Sequence, residues 1–186
     1  MRAQVARRPF TTEEYHRMAE AGILSEDDRV ELIEGEIVRM SPIGTRHSAC
    51  VDRLNALFTS RLHRRAIVRV QNPIVLSRWT EPQPDLSILK PRADFYAERH
   101  PRPPDVLLVV EVAETSGDYD RGTKLALYAG ARIPEVWVVD VPGRAIEVYR
   151  SPALRSYRER RRLAGAQRVA PGAFPRTAFR AADILG

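Results

Sequence analysis

Val106-Leu107-Leu108-Val109-Val110-Glu111-Val112 is a run in which Glu111 is the one polar side chain. A strand with one wet face alternates apolar and polar positions, whereas a strand covered on both faces is continuously apolar. The run therefore predicts a central strand buried between two layers. A carboxylate that follows five apolar residues is costly to bury unless an ion pair, hydrogen bonds or a metal compensates it. Glu111 is the first candidate functional residue for that reason.

Working outward, Asp85-Leu86-Ser87-Ile88-Leu89 reads as a short strand that begins at a carboxylate. If this strand and the Glu111 strand are antiparallel neighbours, the start of one and the end of the other share a sheet edge. Downstream, residues 118–131 predict a helix with Leu125, Leu127, Tyr128 and Ala131 inward. Glu135–Asp140 and Arg144–Tyr149 form a strand pair around Pro142-Gly143. Toward the N-terminus, Thr11-Thr12-Glu13-Glu14 offers an N-cap and acidic first turn for a helix over Thr12–Ala21, stopped by Gly22. Arg29–Ile33 and Glu36–Met40 alternate around Glu34-Gly35, which predicts a tight hairpin.

Cys50, Val51, Leu54, Leu57, Phe58 and Leu62 recur at helical spacing within Thr45–Leu62. Ile67–Leu76 is strand-like, with Pro73 marking an edge or bulge. Lys90–Asp105 is a Pro-rich charged loop, Ser156–Val169 looks like a further hairpin, and Ile184-Leu185 ends the fold. The whole predicts one α/β domain over residues 1–186, with residues 1–9 flexible. A mixed β-sheet is flanked by helices, preceded by a helix plus β-hairpin and followed by a C-terminal β-hairpin.

The bulk numbers suit that reading. The chain has 186 residues, 44% hydrophobic and 29% charged, enough for a sizeable core and too apolar for global disorder. No stretch approaches the roughly 20 apolar residues of a membrane span. The basic N-terminus lacks the apolar segment of a signal peptide, so the chain reads as cytoplasmic. The lone Cys50 has no partner at zinc-ligand spacing and reads as a small buried residue rather than a nucleophile. A formal charge of +6 suits a polyanionic partner. The densest cluster, Arg155, Arg158, Arg160, Arg161 and Arg162 with Tyr157 interleaved, reads equally as a phosphate clamp or as a solvated strand face.

Of the 30 Lys and Arg residues, two are lysines, Lys90 and Lys124. Lysine offers a compact point charge on a flexible stem, which guanidinium does not. Lys124 lies on the helix after Glu111. One ammonium and two strand-end carboxylates, Asp85 and Glu111, are the parts of a metal-dependent hydrolytic site, because Mg²⁺ binds through a few carboxylates and keeps several waters. The loop after Glu111 lies at the same edge, where Ser116 offers a hydroxyl. Each residue also has a structural reading: Asp85 as a turn residue after Pro84, Glu31 as an exposed strand residue, His47 as a helix-start or surface residue. Gln71 is placed to hydrogen-bond a site carboxylate, although a structural role is favoured. Tyr128 and Trp137 read as core residues, and Lys90 as solvated.

Glu31-Leu32-Ile33-Glu34-Gly35-Glu36, Pro84-Asp85-Leu86, Val110-Glu111-Val112, Asp120-x3-Lys124-x3-Tyr128 and Ile133-Pro134-Glu135-Val136-Trp137-Val138-Val139-Asp140 together resemble the Uma-type restriction endonuclease family, part of the PD-(D/E)XK nuclease superfamily. The motifs run in order over about residues 10–150. The resemblance implies a restriction-endonuclease-like fold, DNA as substrate and a Mg²⁺ (or Mn²⁺) centre. It assigns metal ligation to Asp85 and Glu111, catalysis to Lys124, an additional acidic role to Glu31, and a substrate or metal contact to His47. One departure stands out. The superfamily signature places lysine two residues after the acidic residue, where this chain has Ala113, so Lys124 must act from the following helix.

The expected function is thus a metal-dependent endonuclease hydrolysing DNA phosphodiester bonds. Alternatives are a non-catalytic nucleic-acid-binding or assembly module on the same fold, and a hydrolase of small phosphoesters. Cutting both strands calls for two sites, which predicts a homodimer. No separate DNA-reading module is visible.

Overall fold

The computed structural model of the chain describes residues 7–25, 27–114 and 120–186. Helix α1 (Thr12–Glu20) opens on the expected capping box, in which Thr11 Oγ1 accepts the Glu14 N–H and Glu14 reaches back to the Thr11 N–H. Strands β1 (Val30–Ile33) and β2 (Glu36–Arg39) form the N-terminal hairpin. Its turn residues Glu34 and Gly35 both have positive φ, the geometry that suits a two-residue hairpin. Glycine is required at position 35 for a second reason, since a Cβ there would collide with Pro9.

Helix α2 (Thr45–Leu62) buries Cys50, Val51, Leu54, Phe58 and Leu62 along one face. Strands β3 (Ile67–Val70), β4 (Leu86–Leu89) and β5 (Val106–Ala113) come next. A π-helical turn (Asp120–Lys124) leads into α3 (Leu125–Gly130). The chain continues through β6 (Glu135–Asp140), β7 (Ala145–Pro152), β8 (Tyr157–Ala164), the short β9 (Arg168–Val169) and β10 (Phe179–Arg180), and ends in α4 (Ala181–Leu185).

Six strands form one mixed sheet in the order β3-β4-β5-β6-β7-β8, with β5–β6 parallel and the other pairings antiparallel. The apolar run is β5, near the sheet centre. Its Leu108, Val110 and Val112 enter the core shared with α2 and α4, whereas Val109 and Ala113 enter the opposite core with Leu125 and Tyr128. Alternation puts Glu111 on the same face as Val109 and Ala113, which aims its carboxylate at the helix that carries Lys124.

Three local expectations change. The strand from Ile67 stops at Val70, because Gln71 turns to φ +49° and Pro73 has no N–H to donate. On α3, Ala129 is buried while Leu127 and Ala131 are half-buried, so the inward face is narrower than the pattern indicated. In the tail, β8 takes β7 as its hairpin partner, and Arg168-Val169 leaves to pair with Phe179-Arg180.

The β8 pairing divides the arginine cluster. Arg160 and Arg162 turn to the buried Glu147 of β7, at 3.1 and 3.4 Å. Arg155 reaches Glu34 at 3.4 Å. Arg158 and Arg161 are exposed on this edge strand, where charge discourages pairing with another sheet. Among the described residues no helix is long and apolar enough to cross a membrane.

Cys50 is fully buried, and burial pushes its thiol up to about 11. Only the thiolate attacks electrophiles, so native protein at pH 8 is expected to resist a chromogenic disulfide reagent that titrates one thiol after unfolding. Phe58 packs against Trp137 and Phe179 at ring-centroid distances of 5.7 and 5.1 Å. Phe58→Ala is expected to cost about 3–5 kcal/mol in chemical denaturation, because it removes buried area and leaves a cavity.

Candidate active site

β4 and β5 are antiparallel, with Leu86 opposite Val110, so one further step along the ladder brings Asp85 to the level of Glu111. The two carboxylates occupy the shared sheet edge that the sequence required of them, and they are 8% and 3% exposed. Asp85 Oδ2 accepts the Val112 backbone N–H at 2.8 Å and lies 3.0 Å from His47 Nε2 on α2. Gln71 Nε2 donates to Asp85 Oδ1 at 3.4 Å, and its backbone N–H donates to the Asp85 carbonyl at 3.0 Å. The left-handed Gln71 that ends β3 thus turns both its groups onto Asp85.

Lys124 closes the π-helical turn, and its ammonium lies 3.3 Å from Glu31 Oε2 and 3.4 Å from Glu111 Oε1. One turn on, the Tyr128 hydroxyl donates to Glu111 Oε1 at 2.6 Å. Glu31 Oε2 also accepts the Gln83 backbone N–H at 3.2 Å. Behind it, the Tyr15 phenol is pushed up to about 12 by burial and by the negative charges of Glu81 and Glu31, so it stays protonated and donates to the Val30 carbonyl. Lys90, by contrast, is exposed.

Glu114 is a site residue that no sequence pattern singles out. Helix α2 begins at Gly44 with no side-chain cap and no acid in its first turn. Glu114 supplies both from outside, its Oε2 accepting the His47 N–H at 3.2 Å beside the positive helix end. A Cβ at position 44 would sit 2.5 Å from that oxygen, so a larger residue there would displace the Glu114 carboxylate from the helix end. Tyr128 is the core residue its pattern predicts, and its hydroxyl also touches Glu111. The spacing Lys124-x3-Tyr128 was the available signal, since residues four apart share a helix face. Ser116 lies outside the described residues.

Glu31, Asp85, Glu111 and Glu114 line a single cleft of about 440 Å³, together with Arg29, Arg39, His47 and Lys124. Lys124 sits between Glu31 and Glu111, and His47 sits beside Asp85. The all-oxygen donor set of the four carboxylates suits a hard divalent cation such as Mg²⁺ or Mn²⁺. Among the described residues, three metal-ligating side chains come within 4.8 Å of one another at His16, Glu81 and His100, outside this cleft. With carboxylates as donors, the cleft is chemically suited to an ion that takes one or two of them and completes its shell with water and substrate oxygens, as Mg²⁺ does.

The family model Uma2, described as "Putative restriction endonuclease", matches residues 12–182. The chain belongs to the Uma2 family. The match spans the hairpin with Glu31, both sheet-edge carboxylates and the helix after them. A solved structure titled as a putative nuclease belonging to DUF820, from Anabaena variabilis ATCC 29413, superposes with a TM-score of 0.72 at 18% identity, covering 95% of this chain and 98% of that one. At that identity the likeness establishes the fold, a mixed sheet with flanking helices. No curated protein matches the chain.

The Glu31–Lys124–Glu111 group has a measurable energetic signature. Removing one partner from a buried ion pair leaves uncompensated charge and costs about 3–5 kcal/mol. Lys124→Met is expected to lose stability on that scale at neutral pH. Adding Glu31→Gln should recover part of the loss, so a double-mutant cycle by urea denaturation reads the coupling directly. Additive effects would show that the two side chains do not interact.

Proposed function

We propose that this Uma2-family chain is a Mg²⁺- or Mn²⁺-dependent endonuclease that hydrolyses DNA phosphodiester bonds. The observation that carries the proposal is the Lys124 ammonium held at 3.3–3.4 Å by Glu31 and Glu111, in the cleft that Asp85 also lines. A charge so deeply buried has its position set by the fold, which is what stabilisation of a developing phosphoryl charge requires.

Asp85 and Glu111 are the residues that would hold the metal. Bound there, the ion would supply Lewis-acid stabilisation of phosphate oxygens and a water of lowered pKa. The chain's own groups do the rest. Val112 N–H, His47 and Gln71 fix the orientation of Asp85; Tyr128 does so for Glu111; Glu31 keeps Lys124 aimed into the cleft. Lys124 offers its positive charge to the phosphorus-bound oxygens as attack proceeds. Lysine placed this way, on the helix after β5, substitutes for the signature position that Ala113 occupies. Arg29 and Arg39 flank the cleft and would contact flanking phosphates. Among the described residues Asp85, Glu111 and Lys124 form one such cleft per chain, and a homodimer would supply a second for the other strand.

The test is nicking of supercoiled plasmid and cleavage of single-stranded DNA with Mg²⁺, Mn²⁺ or EDTA. Wild type should cut with either metal and stop with EDTA. Asp85→Ala and Glu111→Ala should abolish cutting, and Lys124→Ala should slow it by about 10²–10³-fold, the usual effect of removing one preorganised electrostatic group. Cleavage that survives all three substitutions would sink the assignment. DNA binding without cleavage, equal in wild type and all three variants, would instead favour a non-catalytic nucleic-acid-binding module.

A further inference from the structure

His16, Glu81 and His100 come from three separate parts of the chain, α1, the segment before β4, and the 90–105 loop. One ligand atom from each lies within 4.8 Å of the other two. His16 Nε2 is 2.9 and 2.8 Å from the two Glu81 oxygens, and the His16 and His100 rings meet edge-on at 5.7 Å between centroids. Glu81 is 3% exposed, and among the described residues its carboxylate pairs with His16 alone. Both imidazoles face a cleft of about 640 Å³, so the group is reachable from solvent. These residues lie outside the Asp85–Glu111 cleft and have no part in the proposed phosphodiester chemistry.

Two imidazoles and a carboxylate form a donor set that a hard, all-oxygen ion such as Mg²⁺ does not favour and that Zn²⁺ does. Zn–N and Zn–O bonds of about 2.0–2.1 Å set tetrahedral donor atoms about 3.3 Å apart. The His16–Glu81 pair needs to open by only a few tenths of an ångström to reach that separation. We propose that His16, Glu81 and His100 bind a zinc-class transition-metal ion, with the fourth coordination position open to the adjoining cleft. The ion ties α1 and the 90–105 loop to the Glu81 segment. That segment is itself bridged to β1, since Glu81 and Leu32 exchange backbone hydrogen bonds at 2.7 and 3.3 Å. The site therefore staples the N-terminal helix and the long loop to the strand that carries Glu31.

The experiment is equilibrium dialysis of tag-free, metal-stripped protein against ZnCl₂, read by elemental analysis, with CoCl₂ titration read by visible absorption. The expected result is one tightly bound equivalent and a four-coordinate Co²⁺ spectrum, both retained in an Asp85→Asn/Glu111→Gln variant. His100→Ala and His16→Ala should each weaken binding by more than the 10–100-fold that loss of an outer-shell partner costs. Bound Zn²⁺ should also slow proteolysis within the 90–105 loop. Glu81→Gln is the third variant; because Glu81 is buried, circular dichroism checks its folding, and the half-buried His16 and His100 variants decide the matter if it unfolds. Absence of stoichiometric binding, binding unchanged in both histidine variants, or binding lost in the Asp85→Asn/Glu111→Gln variant would each overturn the proposal.

Discussion

Lys124 is 5% exposed, and its ammonium must be compensated inside the protein because moving it out of water costs several kcal/mol. Glu31 and Glu111 provide that compensation at 3.3 and 3.4 Å, and they come from a peripheral hairpin and from the central sheet. The requirement couples parts of the chain that no backbone ladder joins. β1 must dock so that Glu31 arrives from one side, and β5 must present Glu111, two residues before its end, to the helix. The helix must present Lys124 and, one turn later, Tyr128 to the same carboxylate. A π-helical turn widens the backbone by a residue and is often found at functional sites. Here it ends at Lys124, at the point where the chain returns toward the sheet edge.

The central layer of the fold could be read from β5 alone. Its unbroken apolar run requires cover on both faces, and two cores flank it. The edge shared by Asp85 and Glu111 was conditional on an antiparallel β4–β5 pair, and the register meets that condition. Helix α2 matches its predicted limits because apolar spacing and a preceding Gly-containing turn mark both the face and the start. The left-handed Gln71 was invisible, since no local pattern announces positive φ at a glutamine. The tail pairing was hidden because β8 sits between two short connections, and the local pattern does not say whether β7 or β9 is its partner.

The candidate site was legible where it depends on charged residues beside apolar runs, and not where it depends on contacts across the fold. Lys124 stood out through the scarcity of lysine. Glu114 did not, because its task is to cap a helix 67 residues away. The same limit hid His16 and Glu81, which are 65 residues apart and match no ligand spacing. The arginine cluster shows the opposite effect. A run that suggests a polyanion clamp spends Arg160 and Arg162 on neutralising the buried Glu147, which leaves Arg29 and Arg39 at the cleft as better-placed cations.

Everything proposed for the cleft rests on Asp85 and Glu111 acting on one metal ion beside Lys124. Anomalous diffraction from crystals grown with Mn²⁺ and a short DNA duplex tests this most directly. The expected result is an anomalous peak with carboxylate oxygens of both Asp85 and Glu111 at close to the roughly 2.0–2.1 Å typical of Mg²⁺ sites. Lys124 Nζ should lie beside the same phosphate. A peak that touches neither carboxylate, or DNA seated on another face of the protein, would contradict it.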